Sequence, residues 1–289
     1  MQRHGGPITS AGGRLLVGAV VAVLVVGACG AGASPSAVSG PERVEAAGTL
    51  TTCTDTTNPP SASYAEDGTT PEGFDIDIAA EIARRWGVTS TIYDSVEFDF
   101  LIRDLRAGSC DLVIGDMTST FGDRAEQVDF VDYLRTWTAF FVAPGNPKGI
   151  TTIDDLAGKS IAVDPGFASE ASLRAASDEL VAAGKPAIDI ITTKMSDERW
   201  AEELVAGRVD ALAGGSVEAV YRVDTPPYAG ASEIGGPAID PQPLGIAIRK
   251  DDAGMKEAVA AAIDAMYADG TMKAIVAKWG LTDAVELLK

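Results

Sequence analysis

The sequence predicts an α/β protein of two lobes, each a parallel sheet flanked by helices, joined by two hinge strands. Three observations carry this reading: short apolar runs alternate with helical stretches, that alternation occurs twice, and two extended segments link the two occurrences. With 289 residues, 46% of them apolar, the chain has ample material for more than one core.

The first 28 residues read as an export signal. Arg3 and Arg14 precede an apolar stretch, Leu15 to Val26, and the small residues Gly27 and Ala28 follow. That stretch is about 12 residues, against the roughly 20 that cross a bilayer. Val26-Gly27-Ala28-Cys29 resembles a bacterial lipobox, which would make Cys29 a lipid attachment site and the new N-terminus; ordinary secretion with a free Cys29 is the alternative. Residues 29–42 are small, polar and flexible in composition, as a tether between an anchor and a folded body should be.

In the body, Leu50–Thr54 reads as a strand, Phe74–Trp86 as a helix with Ile78, Ile82 and Trp86 on one face, and Thr91–Tyr93 as a strand. Phe98–Ala107 reads as a helix and Asp111–Gly115 as a buried strand, completing a βαβαβ unit. The β-branched and aromatic stretch Leu134–Val142 follows as a crossing segment. A second unit then runs through strand Ser160–Val163, helix Ser169–Ala183, strand Ile188–Thr192, helix Asp197–Ala206, strand Asp210–Ala213 and helix Val217–Val223. Gly230–Pro243, rich in Gly and Pro, reads as a loop with Asp240–Gly245 as the return crossing. Strand Gly245–Arg249 and helices around Met255–Ala268 and Met272–Lys278 end the chain. Ligands of open α/β sheets sit outside the carboxyl ends of the strands, so two such lobes would enclose one between them.

Charge and composition exclude several functions. Loss of residues 1–28 removes two arginines and no acid, moving the net charge from −19 to −21, which argues against nucleic acid as a partner. The only histidine, His4, leaves with the signal, so the mature chain has no Ser-His-Asp triad, Cys-His pair or histidine metal site. No catalytic residue, metal or cofactor is expected.

One run holds the strongest site signal. In Asp111–Tyr133 an arginine, Arg124, stands where a strand gives way to a helix, after Thr118, Ser119 and Thr120 as turn and N-cap residues. Free N–H groups and the helix dipole would join Arg124 in an anion pocket; alternatively Arg124 pairs with Asp123, Glu126 or Asp129 on a solvated face. The exported body keeps two cysteines, Cys53 and Cys110, an even number that suits a disulfide in an oxidising compartment. In simple parallel register they are staggered by about three residues, roughly 10 Å, too far for a bridge unless the strands shift. A disulfide and two buried thiols both remain open.

Seven stretches resemble the bacterial extracellular solute-binding proteins of family 3, the polar-amino-acid receptors of ABC importers. They are Gly73-Phe-Asp-Ile-Asp-Ile-Ala79; Leu101–Gly108 leading into Asp111-Leu-Val-Ile; Arg124 with Val128-Asp-Phe130; Asp155-Leu-Ala-Gly-Lys159; Gly207-Arg-Val-Asp-Ala211; Gly245-Ile-Ala-Ile-Arg-Lys250; and Asp269-Gly270 with Lys278-Trp-Gly280. Each is weak alone, but they occur in the family's order across nearly the whole mature chain. The resemblance implies a type II periplasmic-binding-protein-like fold, with residues 43–134 plus 245–289 as lobe 1, 139–239 as lobe 2, and 135–138 and 240–244 as the hinge.

By the resemblance, Arg124 clamps the carboxylate of a small amino-acid-like solute, joined by Thr118, with Phe98 packing on the ligand and Asp55 touching it. Phe98 as a core aromatic and Asp55 as a loop cap are the plainer readings. Phe167 and Ala168 stand where the family tends to place a carboxylate-binding hydroxyl, Asn58 and Ser61 where it often has aromatic walls, and the spacing from Thr120 to Arg124 is one residue longer than usual. Gly215 stands where the family writes the aspartate that holds the ligand's ammonium. A buried, unpaired ammonium costs several kcal/mol, so either Asp164, Glu218 or Asp55 substitutes, or the ligand is not an ordinary α-amino acid. The implied partners are the solute, an ABC permease and the membrane through the lipid anchor, with the receptor a monomer on the outer face of the cytoplasmic membrane. A dehydratase of cyclic amino or keto acids on the same fold, with Glu218 or Asp164 as its acid, and a sensory ligand-binding lobe are the competing functions.

Overall fold

The structure, a computed structural model, describes residues 38–289 apart from Val96, Thr193, Met195 and Ser196. The expected signal, Cys29 and all but the end of the expected tether therefore lie outside the described residues. In chain order the elements are α1 (Glu42–Ala47), β1 (Thr49–Thr54), β2 (Ser63–Tyr64), β3 (Pro71–Glu72), α2 (Phe74–Trp86), β4 (Thr89–Asp94), α3 (Leu101–Ala107), β5 (Leu112–Val113), α4 (Arg124–Gln127) and β6 (Asp129–Val142). Then come β7 (Ser160–Val163), α5 (Ala168–Ala182), β8 (Asp189–Thr192), α6 (Asp197–Val205), β9 (Ala211–Gly215), α7 (Ser216–Val223), β10 (Glu233–Ile248), α8 (Ala253–Ala268) and α9 (Thr271–Lys278).

The fold is mixed α/β with two lobes, as the alternation predicts. One eight-stranded sheet runs β4-β1-β5-β10-β6-β9-β7-β8. β1 pairs in parallel with β4 and β5, and β7 with β8 and β9, so each lobe keeps the parallel unit that its βαβ crossovers require. The two long strands between them, β6 and β10, pair with each other antiparallel along their length.

Strand alternation divides the apolar residues cleanly between the faces. Leu50, Leu112, Ile114, Ile246 and Ile248 pack under α2, α8 and α9, whereas Cys53, Val113 and Ala247 meet Leu101 and Leu105 of α3 on the other face. In the second lobe Ile161, Val163, Ala211 and Ala213 face Leu173 and Leu180 of α5, and Ala162 and Leu212 face Trp200 and Leu204 of α6. Ile78, Ile82 and Trp86 of α2 are buried together, as their spacing predicts.

Three sequence expectations need correction. Gly230–Pro243 is not a loop throughout: from Glu233 onward it belongs to β10. Its Gly and Pro residues mask the strand, and they coincide with register shifts between Gly235 and Ile239, Ile239 and Gln242, and Leu244 and Gly245. These shifts fall opposite Asp132–Phe140 of β6, so ladder pairing between the two long strands is interrupted along that stretch. The strand expected at Asp111–Gly115 is regular only over Leu112–Val113, because the chain turns at Asp116, whose φ is +52°. The helix expected from Phe98 starts with a 3₁₀ turn, Phe98–Phe100, before α3.

Cys53 and Cys110 form a disulfide, with Cα atoms 5.6 Å apart. The three-residue stagger is present, since Cys53 sits opposite Val113. The expected 10 Å gap assumed that Cys110 extends the strand direction. Cys110 instead belongs to the turn leaving α3, and this brings it over the face of β1.

Candidate functional site

The loop between β5 and α4 is built before it is functional. Its Met117 carbonyl accepts from Gly245 N (2.9 Å), and Ser119 N donates to the Pro243 carbonyl (3.1 Å), so it is stapled to the middle of β10. Asp116 N donates to Asp75 Oδ2 (2.7 Å), and Asp75 also accepts from Ser61 Oγ (2.6 Å) and Tyr133 OH (2.7 Å). Asp75, at the start of α2, has no solvent exposure. Burial pushes its carboxyl up to about 6, against the pull of those three hydrogen bonds.

That shift has a direct consequence for stability. The native state holds the Asp75 proton more tightly than the unfolded chain does, so this group's favourable contribution is complete below about pH 4. It declines as pH rises through about 6 and is absent above that. In Asp75→Asn the side-chain oxygen can keep the Ser61 and Asp116 bonds, while the Tyr133 hydroxyl rotates to accept. Urea unfolding at pH 4 and pH 7 is expected to show a stability gap between variant and wild type that moves by about 2–3 kcal/mol in the variant's favour as pH rises; an unchanged gap would contradict the assignment. Asp75→Ala strands three donors and also removes the titrating group, so its loss should be about 2–3 kcal/mol larger at pH 4 than at pH 7.

Arg124 opens α4 and is half-buried. Its Nη1 donates to the Thr118 carbonyl (3.1 Å), and the guanidinium carbon lies 5.2 Å from the Phe98 ring centre and 5.1 Å from that of Phe121. Burial lowers its pKa, while the charges of Asp99 and Asp123 raise it. Among the described residues no carboxylate lies within ion-pair distance of it; the solvated pairing with Asp123, Glu126 or Asp129 is not formed. The N-cap position falls on Asp123, not on Thr118–Thr120, because Phe121–Asp123 complete the turn, and α4 is a single turn. Its dipole therefore contributes little. The grip is held instead by the Thr118 carbonyl and two aromatic rings.

These groups face a cavity of about 520 Å³ between the lobes. Its walls include Arg124, Thr118, Phe98 and Asp55 from the first lobe and Asp164, Phe167, Ala168, Gly215 and Glu218 from the second. All nine residues singled out from the sequence thus meet in one place. Asn58 also lines it, whereas Ser61 is buried beneath, on Asp75. The Phe98 and Phe167 rings are 5.8 Å apart across the cavity, and Phe98 also packs against the α3 core, so its two readings are compatible. Asp55 likewise does both: it lines the wall, and its Oδ1 caps the turn by accepting from Thr57 N (2.9 Å) and Oγ1 (2.7 Å).

On the second lobe, Gly215 ends β9 and is the N-cap of α7, with φ −66° and ψ 144°. A Cβ there would meet nothing within 4 Å. The position where the resemblance expects an aspartate thus borders open space, not a collapsed wall. Glu218 is ion-paired to Arg222 (2.5 Å), and its carboxylate lies over Gly214. Acidic side chains outnumber basic ones around the cavity.

Asp116, Asp240 and Gln242 also line it, and sequence reasoning missed all three. Asp240 accepts from Ser172 Oγ (2.6 Å) and from Gln242 Nε2, while Gln242 Oε1 is buried with no hydrogen-bond partner among the described residues. Asp240 and Gln242 were hidden in the stretch read as a loop. Asp116 stood in plain view, directly after a strand's carboxyl end, where ligands of such sheets gather.

Comparison with known proteins identifies relatives over most of the chain. The pattern defining the bacterial extracellular solute-binding proteins, family 3, matches residues 50–282. The L-cystine-binding protein TcyJ of Escherichia coli (strain K12) is 29% identical over 238 residues, spanning 82% of this chain and 84% of that protein. The L-arginine-binding protein of Pseudomonas aeruginosa is 32% identical, spanning 76% and 83%. Among solved structures, an ancestral arginine-binding protein bound to arginine aligns with a TM-score of 0.64 at 34% identity, over 80% of this chain and 98% of that one.

Proposed function

Because the chain belongs to the bacterial extracellular solute-binding proteins of family 3, we propose that it is an extracytoplasmic receptor for a small carboxylated, amino-acid-like solute. One observation carries this: a half-buried arginine, Arg124, faces the interlobe cavity with its guanidinium fixed by Thr118, Phe98 and Phe121 and with no carboxylate of the described residues paired to it. A fixed, partly desolvated guanidinium suits a carboxylate brought by a ligand. Contacts to both lobes, with Phe98 and Phe167 meeting over the cavity, would favour the closed form when solute is bound.

In this reading Cys29 carries a lipid that holds the monomeric receptor on the outer face of the cytoplasmic membrane, and the loaded receptor delivers solute to the permease of an ABC importer. The cystine and arginine specificities of its relatives make amino acids the first solutes to try. Refolded, ligand-free mature protein is therefore to be titrated by calorimetry with the twenty common L-amino acids and L-cystine. At least one should bind, and its methyl ester, which lacks the carboxylate, should bind at least about 30-fold more weakly. No binding across the panel, or equal binding of the ester, would overturn the proposal.

A further inference from the structure

The cavity has an arginine for a carboxylate, yet the second lobe offers Gly215 where a carboxylate could meet an amine. We infer that Asp116, on the first lobe, is the residue that receives the solute's ammonium group. This inference rests on the receptor reading above and names a specificity-determining residue within it.

The Asp116 side chain does little for the fold. Its structural bond is made by its backbone: the N–H donates to Asp75 Oδ2 at 2.7 Å. Its carboxylate, by contrast, has neither a hydrogen bond nor an ion pair among the described residues, although the side chain is half-buried and lines the cavity. The backbone there is left-handed, φ +52°, a conformation that glycine adopts more readily than any residue with a Cβ. An aspartate at this position therefore carries conformational strain and partial desolvation without an internal contact in return. Such a combination is expected where a ligand supplies the missing partner.

The surroundings favour a cation as that partner. Burial, then the negative charges of Asp75 and Glu218, raise the Asp116 carboxyl well above its ordinary range. The two negative charges attract an incoming ammonium, and that ammonium would in turn stabilise the charged carboxylate that burial disfavours. Three other acids of the cavity wall are already engaged: Asp55 caps its own turn, Glu218 is paired with Arg222, and Asp240 accepts from Ser172 and Gln242, while Glu97 and Asp99 are exposed to solvent.

Asp116 and Thr118 lie on the loop that leads into Arg124 at the start of α4, and that loop is stapled to β10 on one side and to Asp75 on the other. A solute with carboxylate and ammonium on neighbouring carbons would thus be held at both groups by the first lobe alone. The open space at Gly215 is then free for the solute's remaining atoms, and the second lobe reads those atoms on closing.

The test compares the tightest-binding L-amino acid of the twenty with the same molecule in which hydrogen replaces the α-amino group, such as 5-guanidinopentanoate for arginine or imidazole-4-propionate for histidine. Calorimetry is run on wild type, Asp116→Asn, and Asp116→Asn combined with Gly215→Asp. Asparagine tolerates left-handed backbone, so the fold at residue 116 is preserved. The expected result is about a 10- to 100-fold loss for the amino acid in Asp116→Asn, little change for its desamino analogue, and at least partial recovery when Gly215→Asp supplies a carboxylate from the other lobe. Equal losses for both compounds, or no loss for the amino acid, would overturn the role of Asp116 while leaving the receptor reading intact. Failure of the wild type to bind any amino acid would overturn both.

Discussion

Arg124→Ala is expected to weaken solute binding by about 10²- to 10³-fold while leaving the free protein's stability within about 1 kcal/mol of wild type. The two halves of that result have separate causes. In the bound state the alanine leaves a carboxylate in a partly desolvated cavity with no cation opposite it, and removing one member of such a pair costs several kcal/mol. In the free state Arg124 is half-buried without an ion pair, and burial already disfavours its charge. Alanine gives up one hydrogen bond to the Thr118 carbonyl and two ring contacts, but it also removes that desolvation cost. Arg124→Lys should fall between, at about 10- to 100-fold, because an ammonium keeps the charge but not the planar fork that matches a carboxylate. Calorimetry paired with urea unfolding reads both quantities. A variant that lost binding and stability together would make Arg124 a structural residue, and one that lost neither would move the site elsewhere.

The parts of this site that the sequence reveals are those set by local pattern. Arg124 follows a buried strand and a run of turn residues whatever the rest of the chain does, and Gly215 follows a strand at a fixed distance from Gly207. Ile78, Ile82 and Trp86 declare their helix by spacing, and Ile161 and Val163 declare their strand by alternation. What remained hidden depends on long-range geometry. β10 pairs along β6 despite Pro237, Pro241 and Pro243, because interrupted pairing between two crossing strands tolerates the loss of ladder donors that an uninterrupted central strand would not. Asp116 reads as one more loop acid until its φ and the Asp75 bond are known. Asp75 itself looks like an ordinary first-turn helix acid in the sequence, yet it is the buried post on which Ser61, Tyr133 and the site loop all rest. Residues separated by 41 and 58 positions meet there, and no window on the sequence contains both.

Removing the Cys53–Cys110 disulfide should destabilise the protein by about 4 kcal/mol. The two cysteines are 57 residues apart in sequence, and closing a loop of that size restricts the unfolded chain far more than the native one. The bridge sits where the constraint matters for function as well. Cys53 lies two residues before Asp55 on β1, and Cys110 leads into β5 and thence to Asp116, Thr118 and Arg124. Both sulfurs are buried among Leu101, Leu105, Val113, Met117 and Val128, so Cys53→Ala with Cys110→Ala introduces no polar atom into that core. The vacated volume adds a smaller cost of its own. Urea unfolding of the double variant, and of wild type with and without reductant, separates the two contributions, because reduction opens the loop while retaining the side chains. Reduced wild type should lose most of the 4 kcal/mol and the double variant slightly more. If reduction changes stability by less than about 1 kcal/mol, the cysteines act only as core residues, and the loop that carries Asp116 and Arg124 must owe its placement to β10 and Asp75 alone.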